Sequence, residues 1–201
     1  MGLTLYKAGP SPFVRKVMVT LHETGLLAQT DLVDAVANPV APDPALIAIN
    51  PAGKIPALVR EDGPALYDSR VITRYLDVRA GTSLYPEARI WEVLTLEASA
   101  DAIMDAAVLM VYEAKFRPEP IAPWMEGQWT KISNGLDALE SRWMSHLNGP
   151  HDAAQIAVGV ALGYLDFRHP QRAWRVGRPA LAAWAEVYLQ RPAMQATIPQ
   201  G

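Results

Sequence analysis

Three short segments in the N-terminal third of the chain carry the side chains best suited to chemistry. Ser11 leads Pro12-Phe13-Val14-Arg15-Lys16 at the point where a short apolar strand hands over to a helix. A hydroxyl in that position caps orphan N–H groups. It also suits a second task, donating a hydrogen bond to a thiolate held at the positive helix end. Donor and helix dipole both favour the anion and lower a thiol pKa from its usual value of about 8.5. Ile55-Pro56 follows the turn signal Asn50-Pro51-Ala52-Gly53 and precedes a strand, which makes it a candidate cis bond as well as an ordinary strand-edge proline. A cis bond turns the Ile55 N–H and C=O outward, where an extended peptide can add as a strand. Asp68-Ser69 opens the next helix. The pair reads as a cap, or as a grip in which Ser69 and the helix N–H groups hold a carboxylate while Asp68 accepts from an ammonium.

The elements that must position these residues follow from periodicity and punctuation. Leu3 to Tyr6 is a strand, broken at Gly9-Pro10; Val14, Val17, Met18 and Leu21 then fall on one helical face that Gly25 closes. Leu32 and Val33 form a second strand, residues 38–44 are an irregular proline-rich connection, and Leu46 to Ile49 is a brief helical turn. Ala57 to Val59 and Ala65 to Tyr67 flank Glu61-Asp62-Gly63 as a hairpin. The helix from Ser69 carries Val71, Ile72, Tyr75 and Leu76 on one face. A strand, a crossover helix and a strand give a parallel pair, and the hairpin makes the sheet mixed. This is the thioredoxin-like order, with four strands. Beyond a linker at Gly81 to Pro86, strand signals vanish: helices are expected over residues 88–116, 124–147, 152–167 and 180–190. The expected fold is therefore α/β plus all-α, a thioredoxin-like domain over residues 1–80 followed by a helical bundle over 87–201. In Ile156 to Leu165, a buried helix, Gly159 and Gly163 allow close approach of a neighbour.

Composition narrows the function. With 18 basic and 21 acidic residues the net charge is -3, so a nucleic-acid partner is not expected, and no apolar run approaches the ~20 residues of a membrane span. The chain has no cysteine, which removes disulfides, Cys-ligated zinc and any protein thiol nucleophile. A thiol at Ser11 would have to arrive on a ligand. No GxGxxG or GxxxxGK marks a phosphate cradle, and the four histidines lack metal-binding spacing, so no metal is expected. Trp91, Trp129, Trp143 and Trp184 lie on expected helices, where core packing is the commoner use. These features, with no secretory stretch at the N-terminus, fit a cytoplasmic protein.

In their order and spacing the three segments resemble the glutathione S-transferase family. SPFVRKV, NPAGKIPALV and LYDSRVITRYLD are similar to its thioredoxin-like half; Asp101-Ala102-Ile103-Met104-Asp105, GYLDFR, RPALAAW and RPAM are similar to its helical half. The nearest resemblance is to a bacterial, serine-type branch with a TSPFVRK-like start. The resemblance implies glutathione as substrate, Ser11 as the catalytic hydroxyl, Ile55 before cis-Pro56 as the backbone clamp, Asp68 and Ser69 as the γ-glutamyl grip, and Lys54 near the glycyl end. Tyr6 ranks below Ser11 as a rival hydroxyl because it lies inside the strand. Asp68 stands where the family often has Glu or Gln, and Asp152 with Gln155 where it usually has a Ser/Thr and Asp capping box.

The implied reaction is attack of glutathione thiolate on a small hydrophobic electrophile, a detoxification chemistry. The implied second-substrate site lies between the domains and is lined by Met104, Val108, Met110 and Tyr112, some of which serve as core. A homodimer is also implied. The alternative is a non-catalytic interaction protein or a carrier of hydrophobic ligands on the same fold. The missing cysteine excludes the mixed-disulfide chemistry of redox members and leaves both conjugation and a reduction in which glutathione supplies all the sulfur open.

Overall fold

The computed structural model describes residues 2–200. They divide into two compact units, residues 2–85 with 196–200, and residues 86–195.

The first unit is a four-stranded mixed sheet with helices. Strand β1 (Leu3–Lys7) leads into helix α1 (Pro12–Glu23); β2 (Thr30–Asp34) and the short α2 (Pro44–Ile47) follow, then the hairpin β3 (Ala57–Arg60) and β4 (Gly63–Leu66), then α3 (Ser69–Ala80). The order across the sheet is β2-β1-β3-β4, with β1 parallel to β2 and antiparallel to β3. This is the expected thioredoxin-like arrangement. β4 starts two residues earlier than expected because the turn is only Glu61-Asp62, and Gly63 pairs with Arg60. The Arg60 guanidinium fills the space that a Cβ at Gly63 would take. Pro64 is tolerated because β4 is an edge strand.

Leu3 and Leu5 alternate onto one face of β1 and, with Leu58, pack under Val17 and Leu21 of α1 and Ile72 and Leu76 of α3. The buried face of α3 differs from expectation. Val71 is exposed, while Thr73 and Asp77 are buried beside Ile72 and Leu76. Hydrogen bonds stabilise Asp77 in this position. Its carboxylate accepts from Thr82 Oγ1 at 2.5 Å, Leu84 N at 2.8 Å and Tyr85 N at 3.1 Å, fixing the segment after the left-handed C-cap Gly81.

The second unit is helical. It comprises α4 (Ile90–Phe116), α5 (Ala122–Ala138), a π turn at Leu139–Trp143, α6 (Met144–Leu147), α7 (Ala153–Arg168), α8 (Pro179–Tyr188) and the short α9 (Pro192–Gln195). The single helix expected over 124–147 is thus interrupted by the π turn. Glu140 within that turn accepts from Ala180 N and Leu181 N, the free N–H groups at the start of α8. Helix α7 is apolar almost all round and buried, as its composition requires. A Cβ on Gly159 would overlap the Tyr188 ring, so the glycine permits the close approach of α8. Asp152 and Gln155 form the expected capping box.

The expectation that helical tryptophans pack in the core holds for Trp184, which stacks on Tyr188. Trp129 and Trp143 are half-buried. Trp91 is 76% exposed, because it falls with Thr95 and Ala98 on the face of α4 opposite the buried Val93, Leu96 and Ala100. Residues 196–200 also depart from the expected 87–201 domain, since they pack with the first unit. Arg15 Nε lies 3.5 Å from Thr197 Oγ1, and a Cβ on Gly9 would come within 3.2 Å of the Gln200 carbonyl oxygen.

Candidate functional site

The sheet register gathers the three segments. Tyr6 near the carboxyl end of β1 pairs with Ala57 at the start of β3, and Leu66 at the end of β4 pairs with Leu58. The Ser11 turn, the Ile55–Pro56 bond and the Asp68-Ser69 step therefore emerge at one end of the sheet. Helix α1 packs against α3, which sets their N-termini side by side there, both suited to anions. The peptide bonds Ile55–Pro56 and Tyr67–Asp68 are cis, the first as the turn and strand pattern suggested.

Ser11 is the N-cap of α1, and its Oγ accepts from Val14 N at 3.3 Å. That bond uses a lone pair and leaves the hydroxyl hydrogen with no acceptor among the described residues. A hydroxyl that already accepts one hydrogen bond is polarised to donate another. The cap reading and the anion reading are thus compatible: one oxygen serves both. Tyr6 stays inside the strand, half-buried, one residue before its end.

The 50–56 loop is built by a residue that periodicity and motif matching did not single out. Asn50 is 3% exposed; its Nδ2 donates to Lys54 O at 2.7 Å, its Oδ1 accepts from Ala52 N at 3.1 Å, and its backbone oxygen accepts from Gly53 N at 2.8 Å. Three bonds within five residues hold the turn that delivers Ile55. The Ile55 backbone N–H and C=O have no partner among the described residues and are open to an added strand. Lys54 is exposed at the same loop. The asparagine before a proline was visible as a turn signal, but its amide could be assigned to Lys54 only once the loop had closed.

At α3, Asp68 is the N-cap, with Oδ1 accepting from Arg70 N at 3.0 Å and Oδ2 from Arg70 Nη2 at 2.9 Å. Partial burial works to raise the Asp68 pKa. The side-chain and backbone hydrogen bonds from Arg70, and the charges of Arg70 and Lys16, outweigh it and hold the carboxyl below its ordinary range. Asp68 is therefore an anion at neutral pH. Lys16 is a second residue missed from sequence: it is 1% exposed on α1, and its charge reaches Asp68 on α3. Ser69 is 2% exposed, and its hydroxyl makes no hydrogen bond among the described residues.

The residues expected to line a hydrophobic site divide. Met104 and Met110 are buried at 0% and 1%, while Val108 and Tyr112 keep part of their surface. Burial raises the Tyr112 pKa, so its phenol stays protonated at neutral pH. Among the described residues there is no cluster of three metal-ligating side chains, and no helix is long and apolar enough to cross a membrane.

Known proteins resemble this chain in both of its halves. The model of the glutathione S-transferase N-terminal domain matches residues 10–79, and that of the C-terminal domain matches residues 122–186. The uncharacterized GST-like protein YibF of Escherichia coli is 32% identical over 198 residues, covering 94% of this chain and 95% of that one. The crystal structure of a glutathione transferase family member from Pseudomonas fluorescens, with bound glutathione, is 49% identical with a TM-score of 0.95, covering 100% of both chains. A second structure from that organism, with bound S-(propanoic acid)-glutathione, is 46% identical with a TM-score of 0.91 and covers 99% of this chain and 100% of that one. Built from the same two domain types along its length, this chain belongs to the glutathione S-transferase family.

Proposed function

We propose that the protein is a glutathione transferase that binds the tripeptide across the carboxyl end of β1 and activates its thiol with Ser11. The observation that carries this reading is the convergence, at one end of the sheet, of three groups with unused hydrogen-bonding capacity. They are the Ser11 hydroxyl hydrogen, the Ile55 backbone pair and the Ser69 hydroxyl beside anionic Asp68. Asp68 accepts from the γ-glutamyl ammonium, and Ser69 with the free N–H groups of α3 holds the γ-glutamyl carboxylate. The cysteinyl main chain pairs with Ile55, beside cis-Pro56, as an added strand. Lys54 approaches the glycyl carboxylate.

Ser11 then donates to the cysteinyl sulfur. The α1 N-terminus adds its dipole, so the thiol loses its proton to solvent near neutral pH. The thiolate attacks an electrophilic carbon of a small hydrophobic co-substrate: the S–C bond forms, the leaving group departs with its bonding pair, and a thioether is released. The relative from P. fluorescens that holds S-(propanoic acid)-glutathione holds such a thioether. Val108 and Tyr112 offer accessible surface to the co-substrate, with Met104 and Met110 packed behind them in the same helix. A two-fold homodimer is proposed with the activity.

The test is retention on immobilised glutathione, elution by free glutathione, and turnover of a generic aromatic halide. Retention with turnover supports the reading. Retention without turnover reduces the protein to a glutathione-binding carrier, and passage straight through the column overturns the site.

A further inference from the structure

We infer that Arg168, at the C-terminal end of α7, anchors an acidic group of the second substrate, so that the preferred electrophiles are aromatic compounds bearing a carboxylate. The inference rests on the glutathione-transfer reading above and names the acceptor class of that same reaction.

The anchor lies wholly in the second unit. Val108 and Tyr112 stand one turn apart on α4, as Tyr164 and Arg168 do on α7. The two helices pack against each other. At one level His169, directly after α7, donates from Nε2 to Ala107 O at 3.0 Å. At another, the Tyr112 phenol is near enough to act electrostatically on the Tyr164 phenol. With Ala107 matched to His169 and Tyr112 to Tyr164, the helices run antiparallel, and Arg168 falls level with Val108. The surface proposed for the co-substrate thus has a cation at its edge.

That cation lacks a counter-ion. Carboxylates near it in the fold are committed elsewhere: Asp166 accepts from Trp174 Nε1 and Arg175, Glu126 from Arg172, and Glu113 from Arg117 and Ile121 N. Arg168 forms no ion pair among the described residues, and its buried Nε has no hydrogen-bond partner. The side chain is half-buried, with its guanidinium carbon 4.1 Å from the centre of the Phe167 ring. Stacking on a ring leaves the edge N–H groups for a planar oxyacid, whose two oxygens match the fork. A partly desolvated cation without a counter-ion gains more from an incoming carboxylate than an exposed one does. The phenols add donors. Burial pushes the Tyr164 pKa up to about 12, with the Arg168 charge opposing, the Tyr112 phenol adding and a hydrogen bond from Arg168 opposing. Burial raises Tyr112 as well, so both hydroxyls keep their hydrogens at neutral pH. Phe116, edge-on to Tyr112 at 5.7 Å between ring centres, extends the aromatic surface and favours an aromatic acid over an aliphatic one.

The test compares para-(bromomethyl)benzoate with para-(bromomethyl)benzamide, acceptors of nearly equal size that differ in charge. Glutathione sulfur forms the S–C bond, the C–Br bond breaks, bromide leaves with the bonding pair and the thiol proton goes to solvent. Dividing each enzymatic rate by the uncatalysed rate at the same pH removes the difference in intrinsic reactivity. Expected is an acceleration roughly tenfold greater for the benzoate, the effect of one charged hydrogen-bonded pair. Arg168→Gln should lower that ratio several-fold, and Arg168→Lys, which keeps the charge without the fork, should lower it less. Retention on immobilised glutathione is the folding control for both. Inhibition of the wild-type protein gives a readout that needs no variant: para-toluate should compete with the acceptor at roughly tenfold lower concentration than para-toluamide. Equal acceleration of the two acceptors, a ratio unchanged in folded Arg168→Gln, or equal inhibition by acid and amide overturns the anchor and leaves glutathione transfer standing. Acceleration of neither acceptor by protein that binds glutathione overturns both.

Discussion

The two units use the same local device, a polar side chain at a helix start, to opposite ends. In the helical unit the capping groups are saturated. Asp152, fully buried, accepts from Ala154 N, Gln155 N and His146 Nε2 and sits 3.4 Å from Arg89 Nη2; Gln155 donates to the carbonyls of His146, Leu147 and Gly149. In the thioredoxin-like unit two hydroxyls at the helix starts are not saturated: the N-cap Ser11 retains its hydrogen, and Ser69, the first residue of α3 after its cap Asp68, is buried with an uncommitted hydroxyl. A cap whose hydrogen bonds are all internal holds the fold together. A helix-start group that can still bond outward, at the sheet end where the Ile55 backbone is also open, is what the proposed glutathione site requires.

Perturbing the two kinds of cap should separate stability from binding. The largest effect is expected for Asp152→Ala, which removes a cap and leaves Arg89 and His146 without their carboxylate. A loss on the order of 3 kcal/mol in urea unfolding is expected, and a loss below about 1 kcal/mol would refute the saturated reading. Asn50→Ala comes next. It frees the Lys54 carbonyl and the Ala52 N–H, so about 2 kcal/mol of stability and at least roughly tenfold in glutathione affinity should go together, read by unfolding and calorimetry. Ser69→Ala should split those readouts, with roughly tenfold weaker glutathione binding and less than about 1 kcal/mol of stability. Equal losses in both would mean that Ser69 is only structural.

The smallest effect is a pH slope in the helical unit. Burial lowers the His169 pKa below 6.5, the Nε2–H bond to Ala107 O opposes this, and the charges of Arg172 and Arg168 add to the lowering. The unfolded chain then binds more protons than the folded one as pH falls through 6.5 toward the folded value, so stability declines across that window and is retained above it. His169→Gln should flatten the slope, and an unchanged slope would assign it to another group.

Much of this was legible because the site is assembled from short-range signals. Ser11, Ile55-Pro56 and Asp68-Ser69 each declare themselves within a few residues as cap, turn or strand start, and the strand-helix order alone brings them to one end of a sheet. The capping box at Asp152 and Gln155 was legible for the same reason. What stayed hidden depends on chain closure. Asn50 acts through a carbonyl four residues on, and Lys16 acts across two helices from a position that periodicity treats as solvent-facing. Val71 is exposed and Thr73 buried because α3 turns the face carrying Thr73 and Asp77 toward the linker, where Thr73 meets the Tyr85 hydroxyl and Asp77 accepts from Leu84 N and Tyr85 N. Residues 196–200 have no period at all, so their return to the first unit leaves no trace in the pattern.

The central claim is that the Ser11 hydroxyl stabilises a thiolate. Titrating the ultraviolet absorbance of the glutathione thiolate bound to wild type and to Ser11→Ala measures it directly. The account predicts a bound-thiol pKa well under the free value of about 8.5 in wild type, rising toward it in the variant while binding persists. The same pKa in both proteins would contradict it.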